Sequence, residues 1–361
     1  MQGQCESKYK KLDEYFENKK PDKILLVCGN SIKKLEIGKY FDSLEENTGI
    51  QVIRFSDFTP NPTYESVVKG VKLAASYDIK VIVAVGGGSA MDVAKCIKLY
   101  SGMDHSISYL EQEIVPNDID LIAVPTTSGS GSEVTRFAVI YHNGEKQSIT
   151  DYSCIPSLVI YDWTVLKTLP LYQKKSTMLD ALCHAIESYW SVSSTDESKD
   201  YARKAIRLIM ENKDKYLDNT DEGNQKMLEA SSLAGRAINI TMTTAGHAMC
   251  YKITTLFSTA HGHACALCVN ELFPYMLENL DKCTDPRGLE YLAKTLKEIT
   301  DVMGMSFGEF YESLELDKPE PEAGQFEILK KSVNTERLMN HPIALDLDTI
   351  DYLYHKIFAV S

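Results

Sequence analysis

The chain has 361 residues, 44% of them hydrophobic, so one large domain or two ordinary domains with a sizeable core are expected. Its formal net charge of −13 argues against a nucleic-acid or anionic-membrane partner, although a small anion could still bind in a locally basic pocket. Apart from Cys265 and Cys268, the nine cysteines form no CxxC pair, and the sequence has no apolar signal-peptide core and no apolar run long enough to span a bilayer. A reducing cytoplasm is therefore the expected compartment.

The first part of the chain alternates between strand-like and helix-like patterns. Short apolar runs predict buried strands at 23–28, 51–55, 81–85 and 121–124. Ser31 is placed to cap a helix after the first strand, and further helices are predicted over about 64–77 and from the Gly-rich turn at 86–89 to Leu99. This alternation predicts a parallel sheet with helices on both faces.

The pattern changes after this region. Two β-like runs flank Asn143-Gly144, which is a strong hairpin signal, and 157–162 predicts a last strand. From Thr164 onward helices are predicted over 174–191, 197–217, 221–240, 243–257, 264–280, 287–302 and 306–314, and the tail from 327 is predicted as a loop with a closing helix over 347–358. The predicted fold class is α/β plus all-α, with a Rossmann-like parallel-sheet domain in 1–162 and an all-helical domain in 163–361.

Asp180 and His184 stand four residues apart on one of the predicted helices, so their side chains point the same way. Apolar residues recur around them at helical spacing and would bury this helix. His247 and His261 could complete a set of three imidazoles and one carboxylate, which suits Fe(II), Zn(II) or Co(II). The alternative is that Asp180 and His184 are hydrogen-bonded core residues and that the other two histidines are unrelated.

Three loops at strand ends are candidates for nucleotide binding. Gly86-Gly87-Gly88-Ser89 leads into a helix whose backbone N–H groups could bind a pyrophosphate, although Met91 stands where the usual fingerprint has glycine. The alternative is a tight turn in which Ser89 and Asp92 form a capping box. The loop 125–133, PTTSGSGSE, is rich in hydroxyl groups and follows the next strand.

The third loop, Gly29-Asn30-Ser31, bears on the choice between NAD and NADP. It carries no carboxylate to bind a ribose 2′-hydroxyl, and Lys33 and Lys34 follow it closely. This favours the 2′-phosphate of NADP, whereas the alternative is that both lysines lie on a solvated helix face.

Five segments of the chain carry a resemblance to a known family: GGGSAMDVAK, PTTSGSGSEVT, LPLYQKKSTMLDALCHAIESY, AGHAMCYKIT and HGHACAL. Together they resemble the iron-dependent (group III) alcohol dehydrogenases over nearly the whole chain. The resemblance implies an NAD(P)-dependent metal enzyme, with Fe²⁺ or alternatively Zn²⁺, that is often a homodimer. It implies the metal ligands Asp180, His184, His247 and His261. It implies pyrophosphate contacts from Gly87, Gly88, Ser89 and Asp92; nicotinamide contacts from Thr126, Thr127, Thr135, Lys146 and Leu166; and adenosine contacts from Asn61, Gly29, Asn30 and Ser31.

Within this family, the segments DALCHAIESYWSV, LAGRAINIT and AGHAMCYKIT look most like the phosphonoacetaldehyde reductases. Arg236 and Lys252 would then bind the phosphonate. Tyr251 stands where several members carry a proton-relaying histidine, and an unperturbed tyrosine is a poor base at neutral pH. His263, two residues after a predicted ligand, is a candidate substrate contact. The alternatives are surface ion pairs for the two cations and a hydrogen-bonded surface or core histidine for His263.

The expected function is therefore reduction of a small aldehyde, with phosphonoacetaldehyde as the expected substrate. A generalist alcohol or lactaldehyde dehydrogenase of the same family is the first alternative. A metal-dependent lyase resembling 3-dehydroquinate synthase is the second, although that metal site resembles one Glu and two His. A non-catalytic protein with a structural metal is the third.

Overall fold

The computed structural model describes residues 8–333 and 338–359 and divides into two units. The first unit contains 8–127 and Ser132–Val165, and the second contains Ser128–Gly131, 166–333 and 338–359. The short segment Ser128–Gly131 therefore belongs to the second unit, although the chain on both sides of it belongs to the first. The predicted domains, 1–162 and 163–361, differ from these units by that segment and by three residues at the boundary.

The first unit is built on a parallel sheet. Its strands in chain order are β1 (Lys23–Cys28), β2 (Gln51–Phe55), β3 (Val81–Gly86), β4 (Asp120–Pro125), β5 (Phe137–His142), β6 (Glu145–Thr150) and β7 (Leu158–Val159). The sheet order is β2-β1-β3-β4-β7, and every neighbouring pair is parallel. β1 and β3 are almost continuous runs of Val, Ile, Leu and Ala, as expected of parallel strands in a core. The predicted parallel sheet is confirmed, but the last strand is only two residues long.

The helices of the first unit are α1 (Lys10–Lys19), α2 (Glu36–Thr48), α3 (Tyr64–Ser76) and α4 (Gly88–Tyr100). The prediction that Ser31 caps a helix is wrong. The chain forms a short 3₁₀ turn over Asn30–Lys34, and Leu35 is then extended (φ −105°, ψ 148°) before α2 begins. Ile32 and Leu35 are nevertheless both buried, at 3% and 5% exposure.

β5 and β6 form the predicted hairpin, which is antiparallel and turns at Asn143 and Gly144. Both turn residues have positive φ, 53° and 79°. Two central residues with positive φ are the mark of a type I′ turn, whose twist matches that of the strands. The hairpin prediction is therefore confirmed together with its turn chemistry.

The second unit is helical, as predicted. Its helices are α5 (Leu171–Trp190), α6 (Asp196–Leu217), α7 (Asp221–Thr241), α8 (Ala245–Phe257), α9 (His261–Glu278), α10 (Leu289–Met303), α11 (Phe307–Glu312), α12 (Ala323–Lys331) and α13 (Leu347–Ile357). The expectation of a loop from residue 327 is wrong as far as Lys331, because α12 includes these residues and packs against α13 and α8. Part of that predicted loop, 334–337, lies outside the described residues. In the described part of the chain, no helix has the length and apolar character needed to cross a bilayer.

α5 is the centre of this unit and contacts α6, α7 and α9. It is buried from Met178 to Trp190, on every side rather than along one stripe. A helix that is buried all round must provide a partner for each polar side chain it carries. Three of its buried side chains, Asp180, His184 and Glu187, lie at helical spacing and define the site described next.

Candidate metal centre and nucleotide site

Asp180 on α5, His247 on α8 and His261 on α9 each bring one possible ligand atom within 4.8 Å of the others. His247 Nε2 lies 3.6 Å from Asp180 Oδ1. Both atoms are buried, and neither has a hydrogen-bond partner among the described residues. A buried polar atom without a partner costs about 1–3 kcal/mol, so two such atoms facing each other fit a site that holds a cation.

His184 lies beside this cluster without being one of its three members. Its ring stacks on that of His247, with centroids 4.4 Å apart and planes 11° from parallel. Its Nδ1 lies 3.3 Å from the carbonyl oxygen of Gly129. Because a carbonyl can only accept, Nδ1 carries the proton and Nε2 keeps its lone pair. The role of His184 as a fourth ligand stays a prediction.

Gly129 belongs to the segment Ser128–Gly131, for which the sequence suggested only nucleotide binding. The segment lies tightly against helices of the second unit. A Cβ at Gly129 would be 2.8 Å from the carbonyl oxygen of Thr177, and a Cβ at Gly131 would be 2.5 Å from Gly235 Cα. Only glycines permit this approach, and the approach brings the Gly129 carbonyl to His184.

The charges of these groups suit a divalent cation. Burial opposes ionisation of Asp180, but the imidazoles of His184 and His247 outweigh it and hold the pKa of this carboxyl below its usual range. Burial lowers the pKa of His184 to about 4, so this ring is neutral at pH 7. Burial also acts against a charged His247, but the carboxylate of Glu187 outweighs it and raises the His247 pKa. A metal ion that binds Nε2 would displace the proton that a charged His247 carries on this nitrogen, as is usual when imidazoles bind metals.

Two buried residues beside the cluster were not identified from the sequence. Glu187 and Cys265 form a second group with His247, with ligand atoms again within 4.8 Å. Glu187 Oε2 contacts His247 Nδ1, and Cys265 Sγ lies 3.2 Å from the same nitrogen. The spacing held a signal for Glu187, which follows His184 by three residues and Asp180 by seven on one face of α5. Cys265 follows His261 by four residues on α9, so the spacing held a signal for it as well.

The predicted catalytic residues differ in their surroundings. Tyr251 is one turn beyond His247 on α8, and its ring stacks on that of His261 with centroids 5.7 Å apart. Arg236 is exposed on α7, and Lys252 is half-buried on α8. Contact of either cation with a substrate stays a prediction.

Both ring nitrogens of His263 have tyrosine partners. Nδ1 lies 3.2 Å from the Tyr172 hydroxyl, and Nε2 lies 3.0 Å from the Tyr311 hydroxyl. Burial lowers the pKa of His263 to about 4. These surroundings match the alternative of a hydrogen-bonded buried histidine. The ring borders a cavity of about 520 Å³, which Tyr172, Lys175 and Thr259 also line.

In the first unit, the predicted nucleotide loops follow adjacent parallel strands. Gly29, Asn30 and Ser31 come after β1, Gly87 after β3, and Thr126 and Thr127 after β4. The chain goes from β1 to β2 on one side and then crosses to β3 on the other. The carboxyl ends of β1 and β3 are therefore a topological switch point, where open α/β sheets bind their ligands.

The loops after β3 and β4 are in close contact. The backbone N–H of Thr126 donates to the carbonyl oxygen of Gly86 at 2.9 Å. A Cβ at Gly87 would lie 3.0 Å from Thr127 Oγ1, so a larger residue would push these loops apart. Gly87 is the N-cap of α4, and Gly88 and Ser89 form its first turn. The alternative of a capping box from Ser89 is therefore wrong.

The other predicted cofactor contacts have varied surroundings. Asp92 Oδ1 accepts a hydrogen bond from Ser132 Oγ at 3.0 Å. The carbonyl and hydroxyl oxygens of Thr135 accept from the buried Lys95 ammonium at 2.7 and 3.1 Å, so this threonine helps to hold the chain after β4 against α4. The remaining three are Asn61, exposed with φ 57°; Lys146, half-buried on β6; and Leu166, buried in the second unit.

Comparison with known proteins follows the same division of the chain. Residues 4–163 match the model of the iron-containing alcohol dehydrogenases, and residues 174–344 match that of the C-terminal part of the Fe-containing alcohol dehydrogenase family. The NADPH-dependent butanol dehydrogenase of Clostridium saccharobutylicum is 31% identical over 80% of this chain and 74% of its own length. The phosphonoacetaldehyde reductase of Streptomyces viridochromogenes is 30% identical over 67% of this chain and 65% of its own.

Some relatives are much longer. Aldehyde-alcohol dehydrogenase 2 of Entamoeba histolytica is 33% identical over 72% of this chain, but the match spans only 32% of that protein. The match to the aldehyde-alcohol dehydrogenase of Streptococcus pneumoniae spans 27% of its length.

Solved structures share the fold. An iron-containing alcohol dehydrogenase from Thermotoga maritima has a TM-score of 0.86 at 26% identity, covering 98% of this chain and 96% of that one. A sulfoacetaldehyde reductase from Bifidobacterium kashiwanohense, solved with NAD⁺, has a TM-score of 0.78 at 25% identity, covering 97% and 95%. The chain therefore belongs to the iron-containing alcohol dehydrogenase family, as its motifs predicted.

Proposed function

We propose that this chain is a metal-dependent oxidoreductase that uses NADPH or NADH to reduce a small aldehyde to a primary alcohol. The observation that carries the proposal is the pair of buried atoms, Asp180 Oδ1 and His247 Nε2, that face each other without a hydrogen-bond partner among the described residues. The proposed ligands are Asp180, His184, His247 and His261. One carboxylate and three imidazoles suit Fe²⁺, with Zn²⁺ as the alternative.

The chain's own residues divide the remaining work. A divalent cation at these ligands supplies a Lewis acid that polarises a carbonyl oxygen. Asp180 and His247 are buried, so a cation that they hold would lie largely out of bulk water. Tyr251 is the candidate proton donor because its ring lies against that of His261. A tyrosine hydroxyl is a weak acid, so it can give a proton to an alkoxide but is a poor base at neutral pH.

The nucleotide is proposed to bind at the carboxyl ends of β1, β3 and β4. Gly87 supports this, since a glycine N-cap leaves the first N–H groups of α4 open to a phosphate. The proposed contacts are Gly29, Asn30, Ser31, Asn61, Gly87, Gly88, Ser89, Thr126, Thr127, Lys146 and Leu166. Asp92 and Thr135 are proposed to support them by holding the loop after β4. Lys33 and Lys34 are exposed beside the first loop, which favours NADP over NAD.

Phosphonoacetaldehyde is the substrate that we propose first. Two relatives are named for aldehydes that carry an anionic group, phosphonoacetaldehyde and sulfoacetaldehyde. The butanol dehydrogenase, with higher identity, is named for a neutral alcohol, which supports a generalist reductase as the second candidate. Arg236 is exposed, so a phosphonate can reach it only if the substrate site extends to that surface of α7.

The test is oxidation of NADPH and of NADH by Fe²⁺-reconstituted protein with phosphonoacetaldehyde, propanal and lactaldehyde. We expect kcat/KM for phosphonoacetaldehyde to be about 100-fold above the neutral aldehydes, equivalent to about 2.7 kcal/mol of transition-state binding. Equal values for all three substrates would establish the generalist instead. A lyase of the dehydroquinate synthase type would oxidise no net NADPH with any of them, and that result would reject the oxidoreductase proposal.

Arg236→Ala separates an anion site from a surface charge. It should lower kcat/KM for phosphonoacetaldehyde about tenfold or more and leave propanal unchanged, because only the phosphonate needs a cation. Arg207→Ala, which removes an exposed arginine of α6, is the matched control and should change neither. An unchanged rate for phosphonoacetaldehyde in Arg236→Ala would remove this arginine from the substrate site.

A further inference from the structure

Glu187 is a fully buried carboxylate on α5, three residues beyond His184. Its two oxygens contact different donor groups. Oε1 accepts from the Thr244 N–H at 3.1 Å, the Thr244 hydroxyl at 2.6 Å and the His247 N–H at 3.3 Å. Oε2 contacts His247 Nδ1. The carboxylate is thus fixed by three donors at the start of α8, and its remaining oxygen is presented to the His247 ring.

This arrangement determines which nitrogen of His247 faces the cluster. A carboxylate that already accepts three hydrogen bonds acts as an acceptor at its other oxygen, so Nδ1 carries a proton and donates it. Nε2 is then the nitrogen directed toward Asp180 Oδ1, 3.6 Å away, where it has no partner among the described residues. A 180° flip of the ring would exchange Nδ1 with Cδ2 and Nε2 with Cε1, so it would lose both the contact with Glu187 and the nitrogen that faces Asp180.

The two histidines beside Asp180 are oriented by acceptors of different charge. His184 donates to a neutral backbone carbonyl, that of Gly129, whereas His247 donates to a carboxylate. An anionic acceptor makes the imidazole a stronger electron donor through its other nitrogen and adds a negative charge near the cation. His247 is therefore expected to be the stronger of these two ligands.

We infer that Glu187 is the positioning residue that fixes the ring orientation and tautomer of His247 for the divalent cation. The inference rests on the metal site of the proposed function. It differs from a rival interpretation, in which Glu187, His247 and Cys265 hold a second, thiophilic ion. In that rival the ion would bind His247 Nδ1. Nδ1 would then have to lose its proton and its hydrogen bond to Glu187 Oε2.

The test measures the affinity of the protein for Zn²⁺ by competition with a chromophoric chelator. Zn²⁺ is the only metal ion added, and no substrate or nucleotide is present. Glu187→Gln should raise the Zn²⁺ Kd about 10- to 100-fold. A glutamine has one acceptor oxygen and one NH₂ group, so it cannot accept from both His247 Nδ1 and the Thr244 donors. Cys265→Ala is the matched control, because Cys265 is the other neighbour of Nδ1, and its Kd should stay within about threefold of wild type.

A second readout separates positioning from a general loss of structure. Co²⁺ bound in place of Zn²⁺ has visible absorption bands that depend on the donor strength and geometry of its ligands. Glu187→Gln should shift these bands in the loaded fraction, whereas Cys265→Ala should not. Glu187→Asp keeps the charge but retracts the carboxylate, so its Zn²⁺ Kd should fall between those of wild type and Glu187→Gln. If Glu187→Gln does not fold, this aspartate variant carries the test.

The contrary outcomes are distinct. Wild-type Kd and Co²⁺ bands in Glu187→Gln, or in Glu187→Asp where only that variant folds, would overturn the inference and leave the proposed function standing. Two Zn²⁺ ions per chain in wild type, reduced to one by Cys265→Ala, would overturn it in favour of the thiol-containing site. Wild-type protein that binds no Zn²⁺ would instead reject the metal site on which the proposed function depends.

Discussion

Lys174, near the start of α5, is a buried lysine whose ammonium is bound by uncharged oxygens. It donates to the carbonyl oxygen of Tyr216 at 3.0 Å and to the side-chain oxygens of Asn219 and Asn224 at 2.8 and 2.7 Å. Its Nζ also lies 4.2 Å from the centroid of the Tyr216 ring. These contacts join α5 to the turn between α6 and α7. Burial lowers the pKa of Lys174 to about 8.

We predict that Lys174 makes the protein more stable as the pH rises from about 8 to about 10.5. In this range the folded state has lost a proton that an unfolded lysine still holds, so the free energy of unfolding increases with pH. The slope reaches at most about 1.4 kcal/mol per pH unit. Lys174→Met removes this titration and leaves three oxygens without their donor, at a cost of roughly 1–3 kcal/mol at pH 7.

The measurement is denaturant unfolding of wild type and Lys174→Met at pH 7.5, 8.5 and 9.5. The stability difference between the two proteins should grow with pH, because titrations common to both cancel. Lys204→Met is the control; it removes a surface ion pair with Asp200 and should cost less than about 1 kcal/mol. A difference that stays constant from pH 7.5 to 9.5 would show that the buried lysine keeps an ordinary pKa.

Individual residues were predicted unevenly from the sequence. Asp180 and His184 could be identified because i,i+4 spacing on a buried helix is visible in the sequence. Glu187 lies on the same face, but its role depends on α8, which brings Thr244 and His247 to it from 57 and 60 residues away. The Gly129 carbonyl was missed for a related reason. Backbone groups leave no signal in a sequence, and tertiary packing alone brings this one to His184.

At the scale of helices, the second residue of α9, Gly262, lies tightly against α5. A Cβ at Gly262 would lie 2.0 Å from the carbonyl oxygen of Ser176 and 2.6 Å from Asp180 Cβ. No side chain fits there, so α9 would have to move away from α5. Since Asp180 and His261 lie on these two helices, the contact sets the distance between two of the proposed ligands.

We therefore predict that Gly262→Ala weakens the metal site without changing any ligand. The variant should lose about 1–3 kcal/mol of folding free energy through overpacking, and its Zn²⁺ Kd should rise at least about tenfold. Chelator competition and thermal unfolding measure the two effects. Gly324→Ala in α12 is the control, since a Cβ added there would meet no described atom within 4 Å beyond its own helix backbone, and it should be neutral or stabilising by up to about 1 kcal/mol. A wild-type Zn²⁺ Kd in Gly262→Ala would mean that the two helices adjust independently.

The elements that the sequence predicted well are those with a strong local signal. β1, β3 and β4 are apolar runs between turn residues, and the hairpin has an Asn-Gly turn. The errors occur where tertiary contacts decide. Leu35 is extended between the 3₁₀ turn and α2, which its helical spacing from Ile32 did not predict, and α12 is a helix that packs against α13 and α8. The packing of α12 is not visible in the local pattern.

At the scale of the whole molecule, the proposed nucleotide loops and the proposed metal site belong to different units. The nucleotide loops lie in the first unit, whereas all four proposed metal ligands lie in the second. The segment Ser128–Gly131 is an exception to this division. It belongs to the predicted loop after β4 but lies in the second unit, where the Gly129 carbonyl accepts from His184. A ligand that binds only the native state stabilises the part of the structure that holds it.

We predict that NADPH and Zn²⁺ slow amide hydrogen exchange in different sets of peptides. NADPH alone should protect the loops after β1 and β3, residues 126–127 after β4 and the first turn of α4. Zn²⁺ alone should protect α5, α8 and the start of α9, together with 128–131, because His184 donates to Gly129. Asp180→Asn should abolish the Zn²⁺ effect and leave the NADPH effect intact, since Asp180 lies outside the nucleotide unit. Zn²⁺ protection confined to the β-strand loops would place the cation elsewhere and reject this assignment of the two sites.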